Sequence, residues 1–407
     1  MKKIILTLLW VCTLAQLFAQ PKTIALKDGF FFNGTGFAAG TWYVAEGRLT
    51  RKAPAVIDTV IDLGGVHWVI PGMGDALSFA LSNAGIAENS IKMYHEDGIQ
   101  FVLAPEIPLN QREKLQSFSR KDVEARIGAG AVTGVLGYPF VQYEGPAQGS
   151  RTTQQQTEKY EKIRLERSLH GDAYWFMGQK EEIKNNWEKL LAQKPEALMI
   201  YLLHAEKEGG KEGRGLSQEA AKDVVKRAQK AGIPVIARIE TAADLRFGLK
   251  IGVTGFANMP GFDWGGEGSS ADYTLSDADL KKLAKSKIWI TTQLSNGIQT
   301  EAAIKFNREQ LQRMLAAGVR VVIGSNDIQR TTRREITYWY QNSIAPPGQL
   351  LRILCETTPQ AVYPKRKIGK IEQGYEANLL FLRGDPMVNL LKIRDIAFRM
   401  KGGAIMD

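Results

Sequence analysis

The chain has 407 residues, 44% hydrophobic and 24% charged, enough to bury one large core and a smaller second one. That composition excludes a disordered or fibrous protein. The formal net charge of +10 favours anionic surfaces or acidic ligands through long-range attraction, but there is no zinc-finger spacing, RNP signature or basic helix with interleaved aromatics, so no nucleic-acid partner is expected.

Lys2-Lys3, the apolar run from Ile4 to Leu17 and then Phe18-Ala19-Gln20 have the order of a positive n-region, a short h-region and a small-residue cleavage site. A signal peptide over residues 1–19, cleaved after Ala19, is expected, with an exported, periplasmic or extracellular product of charge 10 − 2 = +8. No later run approaches the roughly 18 apolar residues of a spanning helix, so no transmembrane helix is expected in the mature chain. Cleavage removes Cys12 and leaves Cys355 alone, which forbids an intramolecular disulfide. Cys355 closes the helical apolar pattern Leu351 to Cys355 and reads as a buried structural thiol.

From Thr23 to Val69, short alternating segments punctuated by glycine predict a small antiparallel sheet. After Pro71 apolar strand-like runs recur between helical patterns: Trp68-Ile70, Ile99-Ala104, Ala131-Leu136, Ala197-Leu203, Pro234-Ile239, Thr254-Ala257, Ile288-Leu294 and Val319-Ile323. Eight such runs are the number that closes a barrel of parallel strands. Helices are predicted at Ser217-Ala231, Ala242-Ile251, Ser276-Ser286 and Asn307-Ala317. An insertion over 151–195, with the patch Tyr174-Trp175-Phe176-Met177, is expected to form a helical lid or partner surface, or to bury its aromatics. The basic run Arg330, Arg333-Arg334 reads either as a solvated helix start or as an anion-binding helix terminus. From Ile368 to Ile405 the alternating texture returns, so residues 20–71 and 364–407 are expected to form one discontinuous domain around a barrel at 72–363.

Motifs of other chemistries are weak. Gly265-Gly266-Glu267-Gly268 and Gly209-Gly210 lack the lysine-hydroxyl ending of a phosphate loop. No Gly-x-Ser-x-Gly elbow or Cys-His arrangement occurs.

Asn33-Gly34-Thr35-Gly36, Glu46-Gly47-Arg48-Leu49, Ile61-Asp62-Leu63-Gly64-Gly65 and Val69-Ile70-Pro71-Gly72 at one end, with Ile368 to Leu379 and Gly384-Asp385-Pro386 at the other, resemble the amidohydrolase superfamily, particularly its imidazolonepropionase and prolidase-like branch. The resemblance spans nearly the whole mature chain. It implies an α/β fold: a (β/α)8 TIM barrel of the metal-dependent-hydrolase type with a small composite β-sandwich. It also implies a divalent metal held by two histidines after strand one, a lysine on strand four, histidines after strands five and six, and an aspartate after strand eight, where the cation would activate a water.

This sequence departs from that pattern at each position. Leu77 and Phe79 replace the first histidine pair, Met199 the lysine, Arg238 and Asn258 the later histidines, and Asn326 the aspartate, with Asp327 next to it. The expectation is therefore a degenerate metal site with no cofactor, in a non-catalytic ligand-binding or assembly subunit. Arg238, Asn258, Asn326, Tyr201 and Asp75 are the expected lining of the mouth. Arg238 would either pair with Asp327 or Asp75, or receive a small anionic ligand bidentately. A homo-oligomer or a complex with an active relative is the expected assembly. Of the four histidines, His67, His95 and His170 read as structural, while His204 follows strand four near Glu206 and Glu208. The alternative is an active hydrolase of non-peptide C–N bonds or dipeptides, with a site rebuilt from His204, Glu240 and Asp327 and zinc or another divalent metal as cofactor.

Overall fold

The computed structural model describes residues 23–115, 123–134, 137–139, 154–155, 158, 169–203 and 215–406. The expected signal peptide, His204 and residues 159–168 of the 151–195 insertion lie outside them. Contacts divide the chain into two compact units, one running to Pro71 and resuming at Lys367, the other from Gly72 to Arg366.

The first unit is an eight-stranded sheet. Its N-terminal strands are β1 (Ile24–Phe32), β2 (Phe37–Ala45), β3 (Arg48–Thr50), β4 (Thr59–Asp62) and β5 (Trp68–Pro71). Strand β1 is continuous through a register shift against β2 between Leu26 and Gly29. Asp28 takes φ +52° there, and a Cβ on Gly29 would lie 2.5 Å from Leu63 Cδ1, so a bulge built on a glycine fits the site. Glu46 and Gly47 both have positive φ, the geometry of a two-residue turn matched to strand twist, and they join β2 to β3. Leu379–Leu382 runs antiparallel to β5 and is followed by Ile396–Lys401 and Ala404–Met406. Alternate side chains, among them Leu26, Phe31, Trp42, Val69, Leu379 and Phe381, form one apolar core. Ile368–Ile371 does not form a strand.

The second unit alternates helices with parallel strands. Here β6 (Met73–Asp75), β7 (Ile99–Glu106) and β8 (Glu124–Ala129) make a three-stranded sheet. β9 (Ala131–Thr133), β10 (Tyr174–Phe176), β11 (Leu198–Tyr201), β12 (Val235–Arg238), β13 (Gly255–Phe256) and β14 (Trp289–Ile290) make a six-stranded one, ordered β10-β9-β11-β12-β13-β14. Backbone hydrogen bonds link the two sheets on one side, where Glu196 N–H donates to Ile127 O at 2.9 Å. On the other side β14 bridges to Val321, and Ala76 N–H donates to Ile323 O at 2.8 Å. Strands such as β7, buried at all eight positions, suit a sheet covered on both faces.

Two expectations need correction. Trp68-Ile70, counted with the parallel strands, belongs to the first unit, and the strand after the Pro71-Gly72 turn is Met73–Asp75. Met73-Gly74-Asp75 is too short and too polar to read as a strand, so the apolar run before the turn is mistaken for it. The helix expected at 307–317 begins earlier and runs Glu301–Ala316, because Thr300 accepts the Ala303 N–H at 3.2 Å and caps it. The other helices form where expected, with Ser217, Thr241 and Ser276 as N-caps. Of the aromatic patch, Tyr174–Phe176 is strand β10 and fully buried.

Candidate functional site

The carboxyl ends of the parallel strands surround a cavity of about 490 Å³. Tyr201 ends β11 and Arg238 ends β12, so each strand delivers its last side chain to the opening. Asn326 and Asp327 follow the segment beside β14, and Phe79 follows β6; all line the same space, as does Glu240. Tyr138, Phe262, Asp263 and Ile328 complete most of the wall.

Arg238 is half-buried, and its Nη1 donates to Asn326 Oδ1 at 3.1 Å. Its guanidinium carbon lies 5.7 Å from the centre of the Phe262 ring, within the range of a cation–π contact. Among the described residues Arg238 forms no ion pair. Neither carboxylate considered from sequence is its partner. Asp327 accepts the Gln329 N–H at 2.7 Å through Oδ1, and its Oδ2 lies 3.9 Å from Arg334 Nη1.

Asp75 does not line the cavity. It is fully buried, where Oδ1 accepts the N–H groups of Leu77 at 3.1 Å and Ser325 at 3.0 Å, and Oδ2 accepts the Tyr94 hydroxyl at 3.3 Å. Burial pushes its carboxyl from 3.8 up to about 7, against the lowering effect of those hydrogen bonds. Asp75 thus clasps the chain after β6 to the chain before Asn326.

Asn258 is also removed from the cavity. Its Oδ1 accepts the Ile239 N–H at 3.1 Å while its Nδ2 donates to Ile239 O at 2.6 Å and to Met259 O at 3.3 Å. Both ends of the amide are occupied by backbone, fixing the residue that follows Arg238. This role was not legible from its place after a strand.

Tyr201 donates its hydroxyl to Glu106 Oε2 at 2.8 Å and stacks on Tyr138 with ring centres 6.5 Å apart. Burial, then the neighbouring Glu106 charge, holds the phenol well above its ordinary range, with Arg238 opposing. Glu106, 1% exposed, was missed in the sequence although a lone acid ending the apolar strand β7 marks the same rim.

The remaining positions at which the resemblance implies ligands are apolar. Leu77 and Met199 are fully buried in one cluster with Leu103, Ile236, Trp289 and Val322, and Phe79 packs against it. A Cβ on Gly324 would sit 2.7 Å from Leu77 Cβ, so glycine lets the Leu77 side chain close over that backbone. Two hydrocarbon side chains, a thioether, a guanidinium and two amides do not fit a divalent cation. Among the described residues no group of three or more His, Cys, Asp or Glu converges to hold one.

Two arginines of the basic run are committed elsewhere: Arg333 pairs with Asp97, and Arg334 donates to Asn296 Oδ1 at 3.0 Å. Cys355 is buried, and burial pushes its thiol well up. No helix among the described residues is long and apolar enough to cross a membrane.

No protein-family model matches the sequence, and no curated protein matches it. Solved structures do. Ochratoxinase from A. niger superposes with a TM-score of 0.72 at 12% identity, covering 95% of this chain and 96% of the other. A Xaa-Pro dipeptidase with methionine bound in its active site gives 0.69 at 13%, covering 95% and 100%. Phenylurea hydrolase B gives 0.67 at 15%, covering 95% and 97%. At such identities the likeness is one of fold: the chain shares the mixed α/β architecture of amidohydrolase-superfamily hydrolases along nearly its whole length.

Proposed function

We propose that this chain is an exported amidohydrolase-like protein, a (β/α)8 barrel with a composite β-sandwich from 20–71 and 364–407, that binds a small anionic ligand at the barrel mouth without metal-dependent hydrolysis. The observation that carries this reading is Arg238, a permanent charge facing a cavity of about 490 Å³ with a neutral amide as its hydrogen-bond partner. Asn326 uses one guanidinium nitrogen, so the planar fork keeps donors for a carboxylate or phosphate. Phe79, Tyr138 and Phe262 offer flat apolar walls to the remainder of such a ligand. The Xaa-Pro dipeptidase of like fold holds methionine, itself a small carboxylate, in its active site.

The test is calorimetric titration with N-acetylated amino acids, short dicarboxylates and inorganic phosphate against the wild type and Arg238→Met. Saturable binding that Arg238→Met removes supports the reading, whereas identical titrations for both proteins contradict it. A hydrolase built on Glu240 and Asp327 is the second reading, favoured by their place in the same cavity. It requires turnover of an amide or dipeptide by the wild type.

A further inference from the structure

A second cavity, of about 450 Å³, lies at the opposite ends of the same strands. Arg126 near the start of β8, Thr254 just before β13 and Trp289 opening β14 line it, together with Tyr363, Lys365 and Arg366. The amino-terminal face of such strands ordinarily serves stability, where apolar packing would suffice. This one is cationic and aromatic instead.

Three cations and no carboxylate are among its described lining residues. Arg126 is fixed by two backbone carbonyls, with Nη1 donating to Val362 O at 2.9 Å and Nη2 to Glu196 O at 2.6 Å. Those bonds orient the guanidinium without giving it a carboxylate acceptor. Arg366 pairs with Glu124 and lies 5.0 Å over the Tyr363 ring. Lys365 is exposed and forms no ion pair among the described residues. Glu124 offsets the Arg366 charge, and the Glu196 carboxylate, also close enough to act on Tyr363, opposes Arg126, so the exposed Lys365 supplies the cavity's excess positive charge.

Trp289 supplies an independent observation. The residue is 2% exposed, and its buried Nε1 has no hydrogen-bond partner, a costly state for an indole N–H. A Cβ on Gly255 would come within 2.3 Å of the indole, so the absence of a side chain there lets the ring seat against the strand. The indole thus gives the cavity wall a flat aromatic surface beside its cations.

We propose that this cavity is a second ligand site, distinct from the mouth, for a small organic anion with a flat apolar body. The anion would sit against Lys365 and Arg126, and the flat body against Tyr363 and Trp289.

The experiment uses the full chain carrying Arg238→Met, so that the mouth does not contribute, and titrates phenylacetate, its uncharged amide phenylacetamide, and acetate. Phenylacetate should saturate, with the other two at least about tenfold weaker, since each lacks either the charge or the ring. Adding Lys365→Glu, a change at an exposed side chain, should weaken phenylacetate several-fold without lowering the melting temperature. Failure of phenylacetate to saturate, equal binding of phenylacetamide, or unchanged affinity in the Lys365→Glu protein would each overturn the proposal.

Discussion

Arg238 donates to Asn326 at 3.1 Å, while Asp327, the next residue, turns its carboxylate to the Gln329 N–H and towards Arg334. One residue separates an amide that leaves the guanidinium charge intact from an acid that would cancel it. Asn326 holds this place with φ +45°, a left-handed backbone that asparagine tolerates better than most side chains. Its N–H donates to Leu77 O at 2.8 Å, tying the amide to the segment that carries Leu77 and Phe79.

Arg238→Lys keeps the positive charge and loses the planar fork. Anion affinity should fall about tenfold or more, the equivalent of losing one charge-assisted hydrogen bond. The melting temperature should move little, because the single hydrogen bond lost contributes about 1 kcal/mol. Calorimetry and thermal unfolding on the same preparation separate the two effects.

Asn326→Asp should abolish anion binding as thoroughly as loss of the arginine, with stability retained. Aspartate also accepts the left-handed backbone, and its carboxylate would pair with the Arg238 Nη1 now bound to the amide oxygen. Unchanged ligand affinity in this variant would count against Arg238 as the anion's anchor.

Asp75 sets a pH dependence. Its carboxyl titrates at about 7 in the folded protein, against 3.8 as the ordinary value, so between those values the folded state binds the proton and the unfolded state does not. Stability from this group is therefore fully present below about pH 4, declines as pH rises, and levels off above about pH 7, a total on the order of a few kcal/mol. Chemical denaturation from pH 5 to 8 should show this decline, and Asp75→Asn should flatten it.

Leu77→His with Phe79→His would introduce the histidine pair that the amidohydrolase resemblance implies, yet the protein should acquire no stoichiometric zinc. Met199 and Arg238 still stand at two further positions where that resemblance implies ligands, one weakly suited to zinc and one repelling it. Burying imidazole in the apolar cluster around Leu77 should cost about 2 to 4 kcal/mol. Metal analysis after dialysis and the melting temperature check both parts.

Arg238, Tyr201 and Asn326 were legible in the sequence because each ends or closely follows an apolar run, and strand direction carries such residues to one rim. Asp75 and Asn258 have the same placement and face other groups, since a side chain after a strand can turn back to the backbone. Sequence order does not encode that choice. The β5 to β6 boundary was hidden because Met73-Gly74-Asp75 is too short and too polar to read as a strand, so the apolar run Trp68-Ile70 stood in its place. Tyr174–Phe176 read as a patch, and its parallel pairing with β9 depends on a partner some forty residues earlier.

The most direct measurement pairs metal content with activity and binding on one sample: elemental analysis of the dialysed protein, then turnover of an amide and dipeptide panel and carboxylate titration before and after chelator. The expected result is no stoichiometric metal, no turnover, and saturable carboxylate binding that survives chelation and disappears in Arg238→Met. Tightly held zinc, with hydrolysis lost on chelation, would contradict it.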